Sequence, residues 1–225
     1  FFEIMSFASY AWVAQEETPG ALRAAATYLA VAVIGGLTTL MGLFLLQHQL
    51  GTLDFASLRA AMGQQDVTVA VWLTLVGFGA KAGAFPLHIW LPKAHPVAPA
   101  PASALLSGIL TKAGIYGVLI LSAQLFFGDA AWGALLLGIG ALTMFGGALL
   151  AVCSVDLKRT LACSSMSQIG FILIGIGMQG LLVEGRELAV HGTLLHMVNH
   201  SMIKLVLFMA AGVIFMNTHA LDLNA

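Results

Sequence analysis

The sequence predicts an all-α fold, a polytopic bundle of about seven transmembrane helices. The first observation is composition, because 60% of the 225 residues are hydrophobic and only 8% are charged, whereas soluble domains carry about 25% charged residues. The second is the length of the apolar stretches, most of which reach the ~20 residues that a spanning helix needs. A very apolar soluble core is the alternative, but so few charges would not cover the surface of a soluble protein.

Seven apolar segments are predicted to be helices. A spanning backbone must satisfy its own hydrogen bonds, and the ten-residue alternation of a membrane barrel is not seen. The first segment has no basic region or cleavage site of a signal peptide. We therefore interpret residues 1–225 as one transmembrane domain, a fragment of a longer chain that starts inside a helix, with a loop at 217–225. The segments are Phe1–Ala14, Ala24–Leu46, Val67–Trp90, Ala102–Phe127, Ala131–Val155, Leu161–Leu182 and Leu188–Met216.

The short polar connections predict the orientation of the bundle. Lys and Arg accumulate in cytoplasmic loops. Every second connection, starting with the first, carries Arg23, Lys93, Lys158 and Arg159, and the others carry Arg59 and Arg186. The first set is therefore predicted to be cytoplasmic. Lys93 and Lys158 are interpreted as snorkelling side chains near helix ends.

Five of the six prolines fall between Pro86 and Pro101. Proline removes a backbone donor and blocks helix continuation, so we predict a third helix broken within Gly83–Pro92, around Pro86, His88 and Pro92. The stretch 85–104 is expected to be partly extended. Inside a bilayer such backbone is tolerated only when it is buried in protein or lines a cavity. An ordinary proline-rich loop is the alternative.

Six ionisable residues lie inside apolar segments. Each costs ~2.5–3.5 kcal/mol at mid-membrane, so all are predicted to face the bundle interior. Snorkelling is the alternative for Lys81 and Lys112. The residues are Glu3, Lys81, Lys112, His196, His200 and Lys204. We expect Glu3 and Lys81 to form a buried ion pair.

The last three of these residues are spaced i, i+4, i+8, which places them in one helix stripe roughly 6 Å apart. Imidazole titrates near neutral pH, so such a stripe can pass protons. Hydrogen bonding between helices is the alternative interpretation. A metal site at His196 and His200 is disfavoured because no Glu or Cys completes the ligand set. We expect Lys81, Lys112, His200 and Lys204 to lie on one line at mid-membrane depth, bridged by water.

Several function classes are excluded by the sequence. The net charge is −1 and no basic surface suggests nucleic acid. No phosphate-binding loop, dinucleotide fingerprint or nucleophile–base arrangement is present. We therefore expect no catalytic centre, no cofactor and no metal in this chain.

Three stretches resemble the proton-translocating, antiporter-like membrane subunits of respiratory complex I, Mrp-type Na⁺/H⁺ antiporters, membrane-bound hydrogenases and formate hydrogenlyase. They are FFEIMSFASY, KAGAFPLHIWLPKAHPVAPAPASALLSGILTKAGIYG and HMVNHSMIKLVLF, and DLKRTLACSSMSQIGFI resembles a further family segment. The stretch HPVAPAPASALLSG is most similar to the hydrogenase-4 component B and formate hydrogenlyase branch of the family.

The resemblance implies roles for these residues. Glu3 takes the place of the family's essential glutamate, Lys81 of its partner lysine and Lys112 of the central lysine. His196, His200 and Lys204 take the place of the residues that link two half-channels. The family fold has two inverted five-helix repeats, of which this sequence covers most of the first and the start of the second. The second broken helix, with its output-side Lys or Glu, is not in this sequence.

Three functions remain open at this level. The first is a proton-translocating subunit of a redox-driven complex in the inner (cytoplasmic) membrane, with other membrane subunits as partners. The second is an Mrp-type antiporter subunit without a redox partner, which would also move Na⁺. The third is a structural scaffold, which the buried charges disfavour because a scaffold has no use for them.

Overall fold

The structure is a computed structural model that describes residues 1–61 and 66–224. Ten α-helices account for most of the described residues. A 3₁₀ segment, Leu87–Trp90, precedes α5, and a π-helical segment, Leu106–Leu110, joins α6 to α7. The helices are α1 (Phe2–Ala14), α2 (Pro19–Leu50), α3 (Phe55–Ala61), α4 (Thr68–Ala82), α5 (Leu91–Val97), α6 (Ala100–Leu105), α7 (Thr111–Gln124), α8 (Ala130–Val152), α9 (Leu157–Leu181) and α10 (Arg186–Thr218).

Six helical stretches of the described chain are long and apolar enough to cross a bilayer, and the shorter α1 precedes them. The predicted all-α bundle with a short first segment is therefore confirmed. The six stretches are Pro19–Leu50, Thr68–Val97, Ala100–Gln124, Ala130–Val152, Leu157–Leu181 and Arg186–Thr218. The connection predicted at 47–66 also holds the short helix α3, anchored by buried Leu58. Its residues 62–65 lie outside the described part of the chain.

The third spanning segment is broken where the sequence predicts. α4 ends at Ala82 because Gly83 adopts a positive φ of 78°, a conformation that glycine reaches without steric cost. The backbone groups freed by the break find partners. The N–H of Phe85 donates to Thr143 Oγ1 at 3.0 Å, and Trp90 Nε1 donates to the Ala80 carbonyl at 2.9 Å. The break is therefore held on both sides by protein, as a bilayer interior requires.

Beyond the break, residues 91–101, which separate the third and fourth predicted segments, are mostly helical, so the partly extended stretch that the prolines predict there is wrong for most of its length. Residues 91–97 form helix α5, and α6 begins at Ala100. Only Ala98 and Pro99, with ψ angles of 143° and 151°, are extended. The physical reason is that Pro92 and Pro101 lie in the first turns of α5 and α6, where a helix has no use for the N–H that proline lacks.

Close helix contacts hold the bundle together. The contact between α8 and α9 is the most extensive, and α2 packs against α4 in the same way. A Cβ at Gly147 would lie 2.9 Å from the Cys163 carbonyl, so only glycine fits there. A Cβ at its neighbour Gly146 would meet nothing closer than Met166 Cε at 3.7 Å, so of these two glycines only Gly147 makes a close contact.

Candidate functional site

Lys81 is buried at the last turn of α4, directly before the helix break, and is only 3% exposed. Its ammonium group donates to Ser6 Oγ at 2.5 Å and to the Phe2 carbonyl at 3.5 Å, both on α1. It also lies 4.8 Å from the centroid of the Phe2 ring, within range of a cation–π interaction. The break thus holds a lysine amine between α4 and α1 on neutral oxygens.

Glu3 lies on α1, one turn before Ser6, the serine that accepts from Lys81. Both of its carboxylate oxygens are buried and have no hydrogen-bond partner. The direct Glu3–Lys81 ion pair predicted from the sequence is therefore wrong, although the two charges are close enough to interact through space. The physical reason is that α1 presents Ser6 to the lysine amine. The carboxylate instead lies against Gly36 of α2, where any Cβ would overlap it.

Lys112 lies on α7, immediately after the π-helical segment. The N–H of Thr111 reaches back five residues to Leu106, which leaves the Ser107 carbonyl available to other donors. That carbonyl accepts from Lys112 Nζ at 2.6 Å and from Thr111 Oγ1 at 2.9 Å. π-helical turns are rare in proteins, and those that occur are often at functional sites. Here the turn supplies the hydrogen-bond acceptor for a buried lysine.

Lys204 lies near the middle of α10, is 2% exposed, and donates to the Leu161 carbonyl of α9 at 2.9 Å. Ser165 Oγ donates to the same carbonyl at 2.9 Å. Ser165 Oγ also lies 2.7 Å from Ser107 Oγ. A continuous set of polar contacts therefore joins the region of Lys112 on α7 to Lys204 on α10, and two serine hydroxyls form its centre.

The histidine stripe has the geometry that its spacing predicts. The rings of His196 and His200 are parallel, with centroids 6.3 Å apart. His200 is 3% exposed and neither of its ring nitrogens has a hydrogen-bond partner, while His196 is half-buried against Phe171. Unpartnered buried polar atoms are costly in a static core and each needs an explanation such as a catalytic role.

The residues predicted to mark the broken helix do so in different ways. Pro86 begins the 3₁₀ segment and Pro92 lies in the first turn of α5. His88 is half-buried, stacks on Phe85 with centroids 5.6 Å apart, and leaves Nδ1 without a partner. His88 lies at the break itself, and the structure shows no hydrogen bond from its ring to the lysines.

His95 is a further buried histidine beside the candidate site, and the sequence analysis does not place it on the proton path. The residue is 0% exposed, its ring stacks on Phe208 with centroids 4.8 Å apart, and both ring nitrogens lack partners. It interacts electrostatically with Lys112, Lys158 and Lys204. The two histidines of the broken-helix motif look alike in sequence, and only the turn of α5 shows that this one points inward.

Lys158 was predicted to snorkel from a loop, and this is wrong. Asp156 caps α9 by accepting from the N–H of Arg159 at 2.7 Å, so the helix begins earlier than predicted. Lys158 then turns inward, is 5% exposed, and donates to the Ala98 carbonyl at 3.0 Å. That carbonyl lies at the C-terminal end of α5, where the helix dipole favours a cation. Of the four basic residues predicted to lie on the cytoplasmic side, Arg23, Lys93 and Arg159 are therefore the ones at the surface.

We expect Lys158→Ala to destabilise the protein while Arg159→Ala does not. The alanine at 158 removes a buried charge-assisted hydrogen bond to the α5–α6 junction, which is worth about 1–2 kcal/mol in a membrane protein. Arg159 is exposed, so its loss should change the free energy of unfolding by less than about 0.5 kcal/mol. Thermal unfolding in detergent measures both, and equal melting temperatures for the two variants would contradict the assignment.

Comparison with known proteins settles the family. Residues 1–225 match the transmembrane family described as NADH:quinone oxidoreductase/Mrp antiporter. The chain belongs to this family. The resemblance proposed from the sequence motifs is therefore confirmed, and so is the assignment as a multi-pass membrane protein.

Members of the family with similar sequences include two subunits from Escherichia coli (strain K12). Hydrogenase-4 component B is 38% identical over 232 residues, which cover 99% of this chain and 34% of that protein. Formate hydrogenlyase subunit 3 is 38% identical over 205 residues, covering 88% of this chain and 33% of that protein. The chain thus spans about a third of the length of these two relatives.

A solved structure shows the same fold. A chain of the membrane-bound sulfane sulfur reductase, an archaeal respiratory membrane complex, superimposes with a TM-score of 0.89 at 28% identity. The match covers 99% of this chain and 46% of the other. The helix bundle described above is therefore an antiporter-like bundle of this family.

Proposed function

We propose that this chain is a proton-translocating domain of a membrane subunit in a redox-driven complex of the hydrogenase, formate hydrogenlyase or NADH–quinone oxidoreductase type. Its family membership and the similarity to subunits of such complexes support the proposal. Its partners would be other membrane subunits of that complex and the lipid of the inner (cytoplasmic) membrane. The redox chemistry would belong to other subunits, and this chain would move the ion.

One observation supports this function over a scaffold. The amines of Lys81, Lys112 and Lys204 are each held by neutral oxygens, either backbone carbonyls or a serine hydroxyl. A buried lysine that served only structure would normally be paired with a carboxylate, because an unpaired buried charge is costly. An amine on neutral acceptors can lose its proton without leaving a carboxylate unpaired. Such amines suit a path along which protonation changes.

We infer a route from these residues. Glu3 and Lys81 would form its start at the broken helix. Lys112 would be the central carrier, and His196, His200 and Lys204 would continue the path along α10. Lys81, Lys112 and Lys204 belong to three of the spanning segments. α4 packs on α7 and α10 packs on the π-helical segment, so the helical elements that carry adjacent steps of the route are in contact.

The test uses the complete membrane complex that contains this chain, reconstituted in proteoliposomes with a pH-sensitive dye inside. Adding the redox substrate in Na⁺-free buffer should acidify or alkalinise the lumen, and a protonophore should collapse the signal. No proton movement during redox turnover would overturn the proposal.

The alternative is an Mrp-type antiporter without a redox partner, which the family description also includes. In that case a Na⁺ pulse would dissipate a preformed pH gradient with no redox substrate present. The redox-driven proposal expects no response to Na⁺ under the same conditions.

A further inference from the structure

The contact between Ser107 and Ser165 crosses from the π-helical segment to α9 inside the bundle. Both residues are 0% exposed, and their hydroxyl oxygens are 2.7 Å apart. Serine hydroxyls in helices commonly bond back to a carbonyl of their own helix. Ser165 does so with Leu161, but Ser107 makes its hydroxyl contact with another helix. It joins the residue whose carbonyl holds Lys112 to the residue that shares the Leu161 carbonyl with Lys204.

Either hydroxyl of this pair can be the donor to the other. A hydroxyl has one proton to donate, and Ser165 donates its proton to the Leu161 carbonyl. When Ser165 donates to Leu161, Ser107 is the donor to Ser165 Oγ. In that arrangement the Ser107 oxygen still has a lone pair that can accept a further proton.

Each end of the serine pair holds a lysine amine. Lys112 Nζ lies 2.6 Å from the carbonyl of Ser107 itself. Lys204 Nζ and Ser165 Oγ share the Leu161 carbonyl, each at 2.9 Å, so they are separated by no more than twice that distance. A lysine side chain that turns away from its carbonyl can thus reach the neighbouring hydroxyl.

We propose that Ser107 and Ser165 form a two-hydroxyl relay that carries a proton directly between Lys112 and Lys204. The proposal rests on the proposed function. In the transfer, the Lys112 ammonium gives one proton to Ser107 Oγ while the proton of Ser107 passes to Ser165 Oγ. The proton of Ser165 passes to the neutral amine of Lys204. Both serines end as neutral hydroxyls, Lys112 ends as an amine and Lys204 as an ammonium, so one proton has moved.

The relay explains two features that the lysines and histidines alone do not. The π-helical turn, Leu106–Leu110, keeps the Ser107 carbonyl free for the lysine amine while its hydroxyl faces α9. The shared Leu161 carbonyl holds the receiving lysine beside the second hydroxyl. Both features position an amine at an end of the pair.

The test is a double-mutant cycle on the rate of proton uptake by the complete complex in proteoliposomes. Ser107→Ala and Ser165→Ala should each lower the rate about tenfold, the effect of losing one hydrogen bond from a transition state. The double variant should be no slower than the slower single variant, because both changes break the same relay.

Ser122→Ala is the matched control. This serine is also buried on α7, but its hydroxyl contacts Val118 and Trp132, away from the lysines. Ser122→Ala should keep the wild-type rate of proton uptake. Combined with Ser165→Ala, it should give the same rate as Ser165→Ala alone. Melting temperatures check that all variants are assembled.

The outcomes separate the relay from the proposed function. Wild-type rates in both single variants would overturn the relay. So would a double variant whose fold-reduction in rate equals the product of the fold-reductions of the two single variants. If the lysine variants described below lose transport in that same experiment, the proposed function stands without the relay. If the wild-type complex itself moves no protons, the proposed function fails.

Discussion

Replacing Lys204 by methionine is expected to abolish proton translocation while leaving the protein as stable as before or more so. Methionine fills nearly the same volume without a charge, and a mid-membrane lysine costs ~2.5–3.5 kcal/mol. In the route proposed above, however, the amine of Lys204, which donates to the Leu161 carbonyl, carries the proton on α10. Removing a group that transfers a proton lowers rates by about a hundredfold or more. The pH-sensitive dye measures the rate, and thermal unfolding measures stability.

Lys112→Met should behave in the same way, and Lys93→Met supplies the control. Lys93 is an exposed lysine on α5, so its loss should leave both transport and melting temperature unchanged. A variant that keeps or gains stability while losing transport identifies a proton carrier, because a residue needed only for packing would lose stability when it is replaced. Wild-type transport in both Lys112→Met and Lys204→Met would show that the route lies elsewhere.

Glu3→Gln is the second substitution with a large expected effect. Glutamine has almost the same shape as glutamate. Its side chain should therefore still fit against Gly36 of α2, where there is no room for a larger side chain. It has no negative charge to attract the Lys81 amine and no proton to release. We expect proton translocation to fall by about a hundredfold, with the amount of assembled complex unchanged.

Glu187→Gln is the matched control, since Glu187 lies exposed in the first turn of α10. It makes the same chemical change outside the route and should transport protons at the wild-type rate. Equal rates for Glu3→Gln and wild type would remove Glu3 from the mechanism. Loss of assembled complex in Glu3→Gln would indicate instead that the carboxylate is needed for folding.

Much of the fold was predictable because the bilayer restricts the choices. Long apolar segments in a membrane must be helices, and the prolines after Gly83 must interrupt one of them. The motifs also predicted which family the chain belongs to. The exact partners of the charged residues were not predictable. Glu3 and Lys81 are opposite charges on separate helices, but the lysine amine donates to Ser6 instead.

The sequence by itself determined that this is a helical membrane protein with buried ionisable groups, because the energetic cost of apolar surface and of charge depends on residue type. Only the tertiary structure decided which side chains meet. Lys158 turns inward because Asp156 starts α9 earlier than the apolar pattern indicates. Ser107 meets Ser165 because a π-helical turn rotates the hydroxyl toward α9. Serine has no strong hydropathy signal in a helix, and the rotation of a turn depends on hydrogen bonds that form only when the helices pack.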